Sequence, residues 1–219
     1  MTGLPELLLL TDRHQARLPL VETVARAVEG GARAIVLREK DLPGTERAAL
    51  AEQLWRLLEP VGGMLIAASW PVGPATGVHL AAADPLPPSA LFDTVGRSCH
   101  DASEVDAASV EGLDYLTVSP VYATASKPGY GPPLGVEGLR ALCRRTPVPA
   151  YALGGVTPAT AAQCRAAGAA GIAVMGDAMR ADDPCAAVSS LLDALRSWKR
   201  SVDNERAVSK ISTDPGGAA

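Results

Sequence analysis

The chain has 219 residues, with 20 Lys and Arg against 24 Asp and Glu, a formal net charge of −4, 47% hydrophobic residues and 4% aromatics. That length suits one domain or one α/β barrel, which buries roughly 70% of its unfolded surface without a disulfide or metal staple. The acidic balance argues against a nucleic-acid surface, which needs a basic stripe, and no apolar run approaches the ~20 residues of a membrane span.

Residues 1–6 offer no basic stretch ahead of the apolar run 7–10, so no secretory leader is expected. Cys99, Cys143, Cys164 and Cys185 show no CxxC or Cys/His spacing, which predicts reduced thiols in a cytoplasmic protein rather than zinc or disulfides. Short runs rich in Leu, Val and Ile then alternate with Ala-rich amphipathic stretches. That rhythm predicts βα units around a parallel sheet buried on both faces. Strands are expected at 7–10, 34–37, 64–67, 77–80, 94–97, 115–118, 150–153 and 171–174. Helices are expected near 20–29, 45–58, 103–111, 136–143, 158–167 and 184–198.

Gly30 and Gly31 stop the first helix, Gly168 closes a later one, and Thr157 before Pro158 reads as an N-cap followed by proline at the first helical position. The third and fourth connections look degenerate. Residues 70–74 hold two prolines and a glycine, and residues 85–88 are again broken by prolines. The fold class expected is therefore α/β, a (β/α)8 TIM barrel with shortened third and fourth βα connections; an open doubly wound sheet is the alternative. One barrel domain is expected over residues 1–200. The polar stretch 201–219, ending in Pro215, Gly216, Gly217, is expected to be disordered.

Barrel active sites lie at the C-terminal ends of the strands, so the residues after each strand are the candidates. Gly154 and Gly155 precede a capped helix after the seventh strand, where close backbone approach and free N–H groups suit a phosphate; a tight strand-to-helix turn is the plainer alternative. Met175 and Gly176 after the eighth strand offer a matching part. Arg38 and Lys40 alternate around Glu39, so both point to one side of the strand end and suit a phosphate or pyrophosphate; an exposed charged turn is the plainer alternative. Lys127 is a third candidate cation in a Gly/Pro-rich loop that also holds Thr124 and Ser126. His100, just past the fifth strand, can carry protons near neutral pH or serve as a capping residue. Cys99 beside it should face the other way and pack, and His79, within a strand, reads as structural.

These segments, in this order, resemble the thiamine-phosphate synthase/TenI family. The matches are Leu10-Thr11-Asp12-Arg13, Leu37-Arg38-Glu39-Lys40-Asp41-Leu42, Gly77-Val78-His79-Leu80 with Asp84, and Gly96-Arg97-Ser98-Cys99-His100. They continue through Asp114-Tyr115, Ser119 to Pro128, Leu153-Gly154-Gly155-Val156-Thr157 and Gly171-Ile172-Ala173-Val174-Met175, spanning about residues 7 to 198. The resemblance implies a barrel and a small phosphorylated heterocyclic substrate. It implies one of two reactions. The synthase joins hydroxymethylpyrimidine pyrophosphate to thiazole phosphate with magnesium, and the TenI branch aromatises a thiazole carboxylate phosphate tautomer with a histidine and no cofactor. By motif, Arg38, Lys40 and Lys127 match pyrophosphate positions, Thr124 and Ser126 lie near the thiazole, Gly154, Gly155 and Gly176 match the phosphate cradle, and Asp84 matches one of two magnesium carboxylates.

The sequence departs from the synthase pattern on one side only. Where that pattern has Asn-Asp-Arg after the third strand, this chain has Ala68-Ser69-Trp70, and a usual glutamine is Val36. The missing groups belong to the pyrimidine and metal side. The expectation that follows is a TenI-like tautomerase working through His100, with the synthase as the alternative and a non-catalytic sensor of thiazole or thiamine phosphate as a third reading. Trp70 is expected either to fill the vacated pyrimidine place, to cover the barrel mouth, or to pack outward on the rim. A homo-oligomer is left open.

Overall fold

The computed structural model describes residues 3–88, 91–124, 126 and 132–212. In chain order it contains β1 (Leu7–Leu10), α1 (Leu20–Glu29), β2 (Ala34–Leu37), α2 (Gly44–Leu58), β3 (Met64–Ala68), β4 (Gly77–Leu80), β5 (Thr94–Cys99) and α3 (Ala102–Ala108). There follow β6 (Tyr115–Val118), α4 (Gly135–Cys143), β7 (Ala150–Leu153), α5 (Pro158–Ala166), β8 (Gly171–Val174), α6 (Gly176–Met179) and α7 (Pro184–Ser212). The strands pair in parallel with their sequence neighbours, and β8 closes on β1, with Leu8 opposite Ala173 and Leu9 opposite Val174. The open-sheet alternative is thereby ruled out, and among the described residues β3 passes to β4, and β4 to β5, without an intervening α-helix.

Two apolar layers follow from the alternation along each strand. Leu7, Leu9, Ile35, Leu37, Leu65, Ala67, Leu116 and Val118 face outward and pack under the helices. Leu8, Leu10, Val36, Ile66, Tyr115, Tyr151 and Ala173 face inward and fill the barrel. The two tyrosines take the room of several aliphatic side chains and meet edge to face, with ring centroids 5.7 Å apart. Gly96 makes space for one of them: a Cβ there would lie 2.1 Å from the Tyr115 ring. The filled lower barrel leaves only its C-terminal mouth open.

The helix caps read from sequence are present. Thr157 and Thr160 form a reciprocal capping box at the start of α5, Thr157 N–H donating to Thr160 Oγ1 at 2.9 Å. Cys99 is buried in the outer layer, as strand alternation requires. The last helix differs from expectation. It continues to Ser212, well into the stretch expected to be disordered. That stretch has no glycine or proline before Pro215, so nothing in it interrupts helical hydrogen bonding. Residues 213–219 of that expectation lie outside the described residues. No helix among the described residues is long and apolar enough to cross a membrane.

Candidate active site

The ends of the strands surround a cavity of about 190 Å³ whose wall includes Arg38, Lys40, His79, His100, Gly154 and Gly176. Its two sides differ in chemistry. On the β7–β8 side, Gly154 and Gly155 both have positive φ, 97° and 62°, which favours glycine. Space demands glycine as well, because a Cβ on Gly155 would come within 2.4 Å of the Ala123 carbonyl oxygen. Val121 N–H donates to Leu153 O and Tyr122 N–H to Gly154 O, both at 2.9 Å, so the glycine turn is locked against the loop after β6.

Arg180 completes this side. One turn beyond Gly176, its guanidinium folds back over that glycine, where an added Cβ would meet it at 2.3 Å. Arg180 Nη1 donates to Gln15 Oε1 and, at 3.2 Å, to Ser126 Oγ, while Ser126 donates to Gln15 at 2.9 Å. Thr124 supports Ser126 by accepting from its backbone N–H at 3.3 Å. Backbone amides beside a guanidinium form a site for a tetrahedral oxyanion.

The β2 side carries the other cations. Arg38 and Lys40 line the cavity, while Glu39 between them turns away, 3% exposed, and accepts from Arg13 Nη1 at 3.0 Å. The one-sided placement expected from strand alternation holds. Arg38 Nη1 lies 2.8 Å from Met175 Sδ and 3.7 Å from Asp12 Oδ2. Asp12 in turn accepts from Gln15 Nε2 at 2.6 Å. A chain of polar contacts thus runs from Arg38 through Asp12 and Gln15 to Arg180, joining the two sides.

The corner between β3 and β4 is built by two buried arginines. Arg47, 1% exposed, donates to the carbonyls of Leu37 and Ala68 at 3.2 and 2.8 Å and to that of Trp70 at 3.3 Å. Arg97 donates to the carbonyls of Ala81, Ala82 and Asp84 at 2.8–3.0 Å and to Glu111 at 2.8 Å. Between them the Ser69 hydroxyl accepts from Lys40 Nζ, and the Asp84 carboxylate accepts from the Ala81 N–H at 2.8 Å. Partial burial works against the charged form of Asp84. The Ser69 hydroxyl, the Ala81 N–H and nearby Lys40 outweigh it and hold the carboxyl below the usual carboxylate range. Trp70 takes the outward option: it is 48% exposed, with the Arg47 guanidinium 5.1 Å from its ring centre, and it does not fill the cavity.

His100 lies at the cavity wall with Glu104 accepting at 2.9 Å from its Nδ1 side and at 2.7 Å from its backbone N–H. Beneath the cavity, His79 meets Tyr115 Oη and Ser98 Oγ, each at 2.9 Å. Burial, reinforced by Lys40 and Arg38, pushes the His79 pKa down to about 3. His79 is therefore both a structural residue, as expected, and part of the site's floor.

Of the expected residues, His100, Thr124, Ser126, Gly154, Gly155, Met175, Gly176, Arg38 and Lys40 meet at one cavity; Asp84 does not line it but accepts at 2.8 Å from the N–H of Ala81, which does. Lys127 lies outside the described residues. Sequence reasoning missed Arg180, Gln15 and Arg47, and quoted Asp12 and Arg97 in matching motifs without giving them a role. Arg180 stands four residues past Gly176, a spacing that returns its side chain toward that glycine only once the short α6 is known.

The family described as thiamine monophosphate synthase matches residues 7–178 of the chain. A thiamine-phosphate synthase of Albidiferax ferrireducens is 37% identical over 206 residues, covering 86% of this chain and 92% of that protein. One from Roseiflexus castenholzii is 34% identical over 195 residues, covering 84% and 85%. The solved thiamine phosphate pyrophosphorylase from Pyrococcus furiosus superposes with a TM-score of 0.78 at 28% identity, covering 88% of this chain and 96% of that one.

Proposed function

This chain is an enzyme of the thiamine-phosphate synthase/TenI family, and from that premise we propose that it condenses a pyrimidine-methyl pyrophosphate with a thiazole phosphate. The relatives' names favour this reaction over the tautomerisation expected from the sequence. The observation that carries it is the two-sided cavity, with Gly154, Gly155, Gly176 and Arg180 on one wall and Arg38 and Lys40 on another. The outward Trp70 leaves the space between them open.

In this reaction the thiazole ring nitrogen attacks the pyrimidine methylene carbon, a C–N bond forms, the C–O bond to pyrophosphate breaks, and the electron pair departs on pyrophosphate. Charge grows on the leaving oxygen. Arg38 and Lys40 act there, since fixed cations stabilise charge as it develops. The glycine turn and Arg180 hold the thiazole phosphate, so that its nitrogen is aimed before reaction. The setting fits the reduced thiols and the cytoplasm. Arg38→Ala is expected to weaken pyrophosphate binding with little effect on thiazole phosphate, and Arg180→Gln to do the reverse. Isothermal titration of each variant with each ligand measures this; equal losses for both ligands in both variants would contradict a two-sided site.

A second reading has its own support. The His100–Glu104 pair faces the same cavity, and Val36, Ala68 and Ser69 offer none of the pyrimidine-side groups of the synthase pattern. In that case the two walls would hold the phosphate and the carboxylate of one thiazole, and His100 would move the proton. General acid–base help contributes typically ~10²–10⁴-fold, so His100→Ala would slow tautomerisation by about that factor. Full tautomerisation by His100→Ala would rule this reading out.

A further inference from the structure

We propose that the Lys40 ammonium, bonded to the Ser69 hydroxyl beside Asp84, serves as the resident cation of the pyrophosphate side, so that this corner works without a divalent metal. The assignment rests on the condensation reading, for which the family resemblance implies magnesium. The donor set present does not suit that ion. Magnesium takes hard oxygen ligands, usually one or two carboxylates with substrate phosphates. Among the described residues Asp84 is the carboxylate at the corner that no arginine side chain pairs, Glu39 being held by Arg13 and Glu111 by Arg97. The Asp84 charge already acts on Lys40, and the Ser69 oxygen is engaged by that ammonium. Among the described residues no group of three or more His, Cys, Asp and Glu is placed to hold a metal.

The surroundings strengthen the argument. Arg38 and Arg47 both lie near enough to Lys40 to act on its charge, so with Arg97 the corner holds four cations against Asp84, the Arg97-paired Glu111 and the buried, Arg13-paired Glu39. A divalent ion would enter a region already positive, whereas a pyrophosphate would enter a complementary one. The geometry is also fixed in advance. Ser69 has a φ of 66°, outside the range non-glycine residues usually adopt. Arg47 holds the carbonyls on both sides of it, and Arg97 holds the backbone of Asp84. Neither arginine lines the cavity; both fix the backbone that carries the hydroxyl and the carboxylate.

The left-handed backbone at residue 69 makes the test accessible, because aspartate tolerates that conformation well. Ser69→Asp therefore adds a second carboxylate beside Asp84 with little disturbance of the fold. Mn²⁺ is titrated into the full-length wild type, Ser69→Asp, Ser69→Asp/Asp84→Asn and Lys40→Gln, with free ion counted by electron paramagnetic resonance. Pyrophosphate release is followed in parallel with Mg²⁺ or with EDTA. Ser69→Asp is expected to bind Mn²⁺ at least ~10-fold more tightly than the wild type, about 1.4 kcal/mol, and the double variant to lose that gain. Lys40→Gln is expected to bind Mn²⁺ more tightly and pyrophosphate more weakly, and wild-type release to persist in EDTA. Wild-type Mn²⁺ binding as tight as that of Ser69→Asp, or release abolished by EDTA, would overturn the assignment. A wild type that releases no pyrophosphate in either buffer counts against the condensation, while the Mn²⁺ series still decides the role of Lys40.

Discussion

His79 sits under the cavity with its imidazole bonded to Tyr115 and Ser98, and burial keeps it neutral by pushing its pKa down to about 3. In the unfolded chain a histidine takes up its proton near pH 6.5. Between those values the unfolded state binds the extra proton, so the contribution of His79 is complete above about pH 6.5 and is lost as pH falls toward 3. Denaturant unfolding at pH 7.5 and 4.5 should show a loss of order a few kcal/mol from this group, and His79→Gln should flatten that slope. An unchanged slope would place the acid sensitivity elsewhere. Arg180 gives a second residue-scale prediction. A hydrogen bond to a charged group contributes about 1.5–3 kcal/mol, so Arg180→Gln should raise the KM for thiazole phosphate roughly 10–100-fold. The unphosphorylated alcohol should be handled as by the wild type; an equal loss for the alcohol would make Arg180 a loop staple only.

Strands and helices set these residues in place, and most of them were legible in the sequence. The eight strands declare themselves because each is a short apolar run between breakers, and β3 and β5 merely run on to Ala68 and Cys99. Thr157-Pro158 marks the start of α5 through the same capping chemistry that the structure contains. What escaped was long-range. Trp70 could be assigned inside or outside the mouth only once its partner was known, and that partner, Arg47, is 23 residues away on α2 with no local mark of its burial. The short α6 and its returning Arg180 were hidden because four residues are too few to show a period. The Gly96–Tyr115 fit carries an element-scale prediction. A methyl group at residue 96 would overlap a buried ring between paired strands, where overpacking costs typically 1–3 kcal/mol or more. Gly96→Ala should therefore lower the unfolding midpoint clearly, and restoring room with Tyr115→Phe should not rescue it, since the clash is with the ring and not the hydroxyl.

At the scale of the whole molecule, the barrel separates stability from chemistry. Its lower half is filled by Tyr115, Tyr151 and the inward aliphatic residues, and α7 packs on α1 and α5 with Val188, Leu191 and Leu195 buried. Leu195→Ala removes packing far from the mouth, so it should cost about 2–5 kcal/mol of stability while leaving substrate KM values unchanged in the folded fraction. The C-terminal mouth holds Arg38 and Lys40 on one side of the cavity and Arg180 on another. The central claim is that the two sides serve two substrates. Its most direct measurement is a reaction of the purified protein with hydroxymethylpyrimidine pyrophosphate and thiazole phosphate, quantifying thiamine phosphate and pyrophosphate together. Equal amounts of both products, formed only when both substrates are present, are the predicted result. Conversion of a thiazole carboxylate phosphate tautomer by the same preparation, with neither thiamine phosphate nor pyrophosphate formed from the pair, would contradict it.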